Sequence, residues 1–102
     1  MSVYVGVPMW DFGRMVMCHM VADTEEELDA MAEAIGMRRS WKQENPRGRK
    51  PGTVGALVHY DVAKGKRAQA IKLGAIPLDT LEAEAAVLER LADEEAERHA
   101  AA

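Results

Sequence analysis

Cysteine occurs once in 102 residues, at Cys18, so no intrachain disulfide can form and any metal site must recruit histidine or carboxylate partners. No HxxxH or CxxC run is present, which removes the metal-binding spacings that can be recognised from sequence alone. No apolar run approaches the ~18 residues a membrane-spanning helix needs. The opening MSVYVGVP lacks the basic start and long apolar run of a secretory signal, so the expected location is cytoplasmic. Disorder is equally unsupported: apolar residues make up 48% and charged residues 29%, an ordinary globular balance. A chain of this length buries one core, which predicts a single domain.

What is present is unevenly distributed. Residues 1–37 carry seven acids against Arg14, and residues 79–102 carry eight acids against Arg90 and Arg98. Between them, residues 38–78 hold ten bases against Glu44 and Asp61. Such a basic centre either keeps a surface in water or attracts a phosphate-bearing partner.

Residues 14–36, RMVMCHMVADTEEELDAMAEAIG, carry the clearest local signals. Residues 15–22 are apolar apart from His19, the pattern of a strand covered on both faces. Alternation places Met15, Met17, His19 and Val21 on one face and Val16, Cys18, Met20 and Ala22 on the other. Asp23 and Thr24 offer an N-cap, and Thr24 with Glu27 has capping-box spacing. Leu28, Met31, Ala32 and Ile35 form one buried helical stripe that Gly36 ends.

The same grammar recurs in ALVHYDVAKGKRAQAIKLGA, residues 56–75. Here residues 56–60 read as a strand and Asp61 as the cap of a helix reaching Leu73. Residues 3–7 form a first strand stopped by Pro8, MWDFG reads as a loop, and residues 75–78 make a short edge strand marked by Pro77. Between the two units lies a basic loop at residues 42–53, punctuated by proline and glycine. A closing helix begins at Asp79 or Thr80, with a stripe of Leu81, Ala85, Leu88 and Leu91 or Ala92 that covers the sheet or meets a second copy of the chain. The expected fold is therefore α/β: one domain over residues 1–92, a mostly parallel sheet of about four strands, two crossover helices and a C-terminal helix, with 93–102 as a polar tail.

In a parallel sheet, ligands gather beyond the carboxyl ends of the strands, where His19 and His59 would share a rim. Two chemistries use that convergence. His59, Arg14, Lys66 and Arg67, with Arg47, Arg49 and Lys50 of the basic loop, would grip a phosphate-bearing small molecule or nucleic acid. Alternatively His19, His59 and Asp61 would be catalytic residues holding a divalent metal cofactor for phosphoester hydrolysis. A third class is a homodimeric interaction module built on the C-terminal helix. The plain structural alternative has Asp23 and Asp61 capping helices and the histidines hydrogen-bonded within the fold. Cys18 beside His19 is not a nucleophile–base pair, because strand neighbours point to opposite faces.

The blocks YV, GRMVMCHMVADTEEEL and HYDVAKGKRAQAIKLGA together resemble a family of small bacterial and phage proteins known chiefly as a domain of unknown function. The resemblance spans roughly residues 3–78 and implies that His19, Asp23, His59, Asp61 and Arg67 match the family pattern; it brings no activity with it. Relatives typically carry an acid just after YV, where this chain has Gly6, and Asp11 is the candidate replacement.

Overall fold

The computed structural model describes residues 2–43 and 57–101, the last three by backbone alone. In chain order it contains β1 (Val3–Val5), β2 (Trp10–Phe12), β3 (Met15–Ala22), α1 (Glu25–Ala34), a 3-10 turn (Arg39–Trp41), β4 (Tyr60–Ala63), α2 (Lys64–Lys72), β5 (Ile76–Pro77) and α3 (Leu81–Ala101).

The apolar strand β3 is the centre of the sheet. β1 and β2 lie end to end along one of its edges, both antiparallel, with Val5 opposite Met20 and Trp10 opposite Met17. β4 runs antiparallel along the other edge, with Met20 opposite Tyr60 and His19 opposite Asp61. Only β5, which pairs with β1, is parallel to its neighbour. The expected mostly parallel sheet is thus corrected to a mainly antiparallel one of five strands. The reason is a turn at Gly13, whose φ of 63° suits glycine and folds MWDFG into a hairpin arm rather than a loop. The second unit then enters beside β3 in the opposite sense, so α1 does not link parallel neighbours.

α1 forms as its sequence predicts. The Thr24 side chain accepts the Glu27 amide at 3.2 Å, three acids occupy the first turn, and Gly36 follows the helix with φ 81°. The second helix differs from expectation. β4 runs through Asp61 to Ala63, and α2 starts at Lys64 with no side-chain cap, so Asp61 is a strand residue and caps nothing.

Strand alternation divides the core into two. Cys18, Met20, Tyr60 and Val62 face Leu28, Ala32 and Ile35 of α1 and Ala70 of α2. On the opposite face Val21 and Leu57 meet Leu88 and Leu91 of α3. Burying each of those leucines stabilises the docked helix by roughly 1.5–3 kcal/mol. The stripe of α3 is rotated from its expected position: Leu81 is 61% exposed, whereas Glu84 is only 5% exposed and points inward. Among the described residues no helix is long and apolar enough to cross a membrane.

Candidate functional site

The antiparallel ladder, not a shared rim of parallel strands, brings the two histidines together. His19 stands directly opposite Asp61 on one edge of β3. On the other edge the Gly6 amide donates to the His19 carbonyl at 2.8 Å, which places Gly6 opposite His19 as well. His59 lies two residues before Asp61, hence on the same face, and its backbone is fixed to Gln43 by reciprocal hydrogen bonds of 2.9 and 3.2 Å. Gly6, His19, Asp61 and His59 therefore sit side by side on the face covered by α3.

The side chains converge on one atom. Asp61 Oδ1 is 3.5 Å from His59 Nε2 and 3.9 Å from His19 Nε2. It is buried and has no hydrogen-bond partner, the 3.5 Å approach to His59 lying at the outer limit of a bond. The second carboxylate oxygen, Oδ2, accepts the Gln43 amide at 2.6 Å and so fixes the rotamer. Burial pushes the Asp61 carboxyl up, but the His59 contact, the charges of His59 and His19 and the Gln43 bond outweigh it and hold it below the ordinary carboxylate range.

The outer nitrogens of both rings are also assigned by geometry. His59 Nδ1 lies 2.9 Å from the Leu57 carbonyl, an acceptor only, so Nδ1 carries the proton. His19 Nδ1 lies 3.3 Å from Glu84 Oε2, and a carboxylate there again calls for an N–H. When both rings are neutral, their Nε2 atoms carry lone pairs beside Asp61 Oδ1. Three electron-rich atoms so close together repel unless a proton on one of the rings or a cation lies between them. The Trp10 ring closes one side of His19 at 4.5 Å between centroids, and the two imidazoles meet edge-on at 5.5 Å.

The three residues are of the types that could hold a metal ion. One atom each from His19, His59 and Asp61 lie within 4.8 Å of one another. Bonds of about 2.0–2.2 Å to a tetrahedral divalent ion put ligands roughly 3.3 Å apart, so the three atoms would have to draw closer to hold one. A backbone carbonyl and a carboxylate behind the ligating imidazoles are the partners that orient such ligands.

Other expected site residues lie elsewhere. Arg14 is exposed in the β2–β3 turn, five residues before His19, about 17 Å along a strand. Lys66 donates to the Ile35 carbonyl at 2.6 Å at the end of α1. Arg67 donates from Nε to the Gly6 carbonyl at 2.8 Å and from Nη2 to the Leu78 carbonyl at 3.3 Å, binding two chain segments rather than facing the cluster. Arg47, Arg49 and Lys50 fall outside the described residues. Asp23 accepts from the Ser2 amide, the Tyr4 hydroxyl and Arg90, and Asp11 is exposed on β2. Cys18 is buried on the opposite face, its thiol 3.5 Å from the Val62 carbonyl and pushed up to about 11 chiefly by burial, as a small core residue would be. A cavity of about 440 Å3 opens away from the histidines, where Asp23, Glu25 and Glu26 at the start of α1 meet Leu91, Glu95 and Arg98 of α3. It holds no comparable set of converging ligand atoms.

Glu84 is the site residue that sequence reasoning missed. A glutamate in the first turn of an acidic helix looks like dipole compensation, and nothing local distinguishes it from Glu82. The one available signal is its place in the buried Glu84, Leu88, Leu91 series.

Residues 3–90 match the model of the family described as protein of unknown function (DUF4031), and the chain belongs to that family. The match extends beyond the strand and helix blocks into α3 and takes in Glu84. Neither the curated proteins nor the solved structures contain a match.

Proposed function

We propose that this family member is a metal-dependent phosphoester hydrolase whose single divalent ion is held by His19 Nε2, His59 Nε2 and Asp61 Oδ1. The observation that carries the reading is the buried Asp61 Oδ1, without a hydrogen-bond partner, 3.5 Å and 3.9 Å from two imidazole Nε2 atoms. Three protein ligands, rather than four, leave a coordination position open, the arrangement associated with catalytic rather than structural zinc. The side chains of His19 and Asp61 are 18% and 28% exposed, although Asp61 Oδ1 itself is buried. A bound ion would supply Lewis acidity and an activated water at neutral pH.

The residues of the chain do the positioning. Leu57 and Glu84 keep the protons of His59 and His19 on Nδ1, Gln43 holds Asp61 through Oδ2, and Trp10 shields one face of His19. The anionic substrate class is supported by charge. The segment between Gln43 and Leu57 carries Arg47, Arg49 and Lys50 against Glu44, and both its ends adjoin the cluster through the His59 ladder and the Leu57 carbonyl. Phosphate-bearing compounds are anions that suit a divalent ion in a chain with such a basic segment.

Elemental analysis and Zn2+ or Mn2+ calorimetry on purified protein test the proposal, together with turnover of an aryl phosphodiester. One ion per chain is expected, with hydrolysis abolished by chelator and by His59→Ala. Protein that takes up neither ion, or hydrolysis indifferent to chelator, contradicts it.

A further inference from the structure

The gap left by Gly6 is filled from another part of the chain. A Cβ built on Gly6 would lie 2.6 Å from the Glu84 carboxyl carbon and 2.8 Å from Oε2, too close for either to remain. The backbone of Gly6 is not in the left-handed region, so an L side chain is compatible with its conformation. A side chain here would displace the Glu84 carboxylate, the end of a flexible side chain, which now takes the space.

That carboxylate is held with care. Buried charge is costly unless it meets donors. Glu84 Oε1 accepts the Val7 amide at 2.6 Å and Oε2 faces His19 Nδ1 at 3.3 Å. Arg67 ties the same places together, bridging the Gly6 carbonyl to the Leu78 carbonyl and to Asp79 just before α3. The start of α3 is thereby clamped over Gly6, with Glu84 in its first turn delivered to the face of His19.

We infer that Glu84 is the positioning residue for His19, doing from α3 what a carboxylate at position 6 of the neighbouring strand would do, so that the ligand set is complete only when α3 is docked. The inference rests on the proposed metal site for its purpose, but its geometry stands without metal. Glu84 fixes the Nδ1–H tautomer, and this leaves His19 Nε2 free to act as a ligand. Gly6 and Glu84 are then a coupled pair: either position can carry the acid, and both together cannot.

Four proteins test this: Glu84→Ala, Glu84→Gln, Gly6→Asp, and the double variant Gly6→Asp with Glu84→Ala. Long-range proton–nitrogen NMR of the metal-free chain reads the tautomer of His19, thermal unfolding reads the coupling, and Zn2+ calorimetry reads the site. His19 is expected in the Nδ1–H form in the unmodified chain, in the Nε2–H form or a mixture in both Glu84 variants, and back in the Nδ1–H form in the double variant. Zn2+ affinity should fall about 10–100-fold in Glu84→Ala and recover at least in part in the double variant. Gly6→Asp alone should unfold at a lower temperature than the double variant. Should Glu84→Ala not fold, Glu84→Gln and the double variant still report the tautomer and the rescue. An unchanged tautomer in the Glu84 variants, or a Gly6→Asp cost that is the same with and without Glu84, overturns the inference. Zn2+ binding to none of the proteins overturns the metal reading instead, and the tautomer and the thermal coupling then decide this one.

Discussion

Two neighbouring carboxylates, on opposite faces of one sheet, share the same chain segments and are finished in opposite ways. Lys42 and Tyr60 reach Asp29 of α1, while the next residues along, Gln43 and Asp61, face the histidines. Asp29 Oδ1 accepts the Tyr60 hydroxyl at 2.9 Å and Oδ2 accepts Lys42 Nζ at 3.0 Å, so both oxygens are bonded. Burial pushes the Asp29 carboxyl up, but the bonds from Lys42 and Tyr60 more than reverse it. Asp61 is likewise held low, yet one of its oxygens is buried with nothing to accept from. A closed network contributes stability and asks for nothing further; an open one at similar depth keeps a cost that a ligand can relieve. On the proposed reading, the contrast separates a carboxylate that holds the fold from one that serves a site.

The largest effect that would break this contrast comes from paired substitutions. Asp61→Asn should weaken Zn2+ binding by more than about 100-fold, since it removes a ligand rather than a support, and should lower metal-free stability at neutral pH by less than Asp29→Asn does. Asp29→Asn should cost about 1.5–3 kcal/mol in urea unfolding, the scale of a hydrogen bond to a charged group, with Zn2+ affinity retained. If Asp61→Asn destabilises as much as Asp29→Asn and still binds Zn2+, the two carboxylates are of one kind.

A smaller effect sharpens the closed side. Burial, then the bond to Asp29, pushes the Tyr60 hydroxyl from 10.0 up to about 12. A group whose folded value is raised contributes stability that is complete below its unfolded value and is lost as the pH rises through the folded one. Stability should therefore decline between about pH 10 and 12, followed by unfolding with phenolate absorbance. Tyr60→Phe should remove that decline while costing about 1 kcal/mol at neutral pH.

The smallest effect lies on the acid side. Asp29 and Asp61 are both lowered from 3.8, so their contribution is present above that value and lost as pH falls through the depressed ones. Asp29→Asn should flatten the acid limb of the stability profile in metal-free protein.

Much of this organisation is written locally in the sequence, and the errors fall where partners are distant in the chain. α1 could be read because Thr24, Glu27, the Leu28–Ile35 stripe and Gly36 all act within the helix itself. The alternation of β3 correctly assigns Cys18 and Met20 to one face and His19 and Val21 to the other. Strand direction could not be read that way, because an apolar run covered on both faces looks the same beside parallel and antiparallel neighbours. β2, three residues long, is too short to show a period. Asp61 resembled a helix cap because caps and strand-end acids both precede helical patterns, and only the ladder with His19 distinguishes them. His19, His59 and Asp61 were legible as a group, though for the wrong reason; cross-strand pairing replaces the shared rim. Glu84 acquires its meaning only from Gly6, and 78 positions separate them, a relation no local pattern carries.

The central claim is that Asp61 Oδ1 and two imidazole Nε2 atoms form an incomplete coordination shell. A crystal structure of the chain grown with Zn2+, with anomalous scattering recorded at the zinc edge, tests it most directly. The account predicts one peak per chain, about 2.0–2.2 Å from His19 Nε2, His59 Nε2 and Asp61 Oδ1, with Glu84 still on His19 Nδ1. No peak there, together with an Nε2–H of either histidine hydrogen-bonded to Asp61 Oδ1, would contradict it.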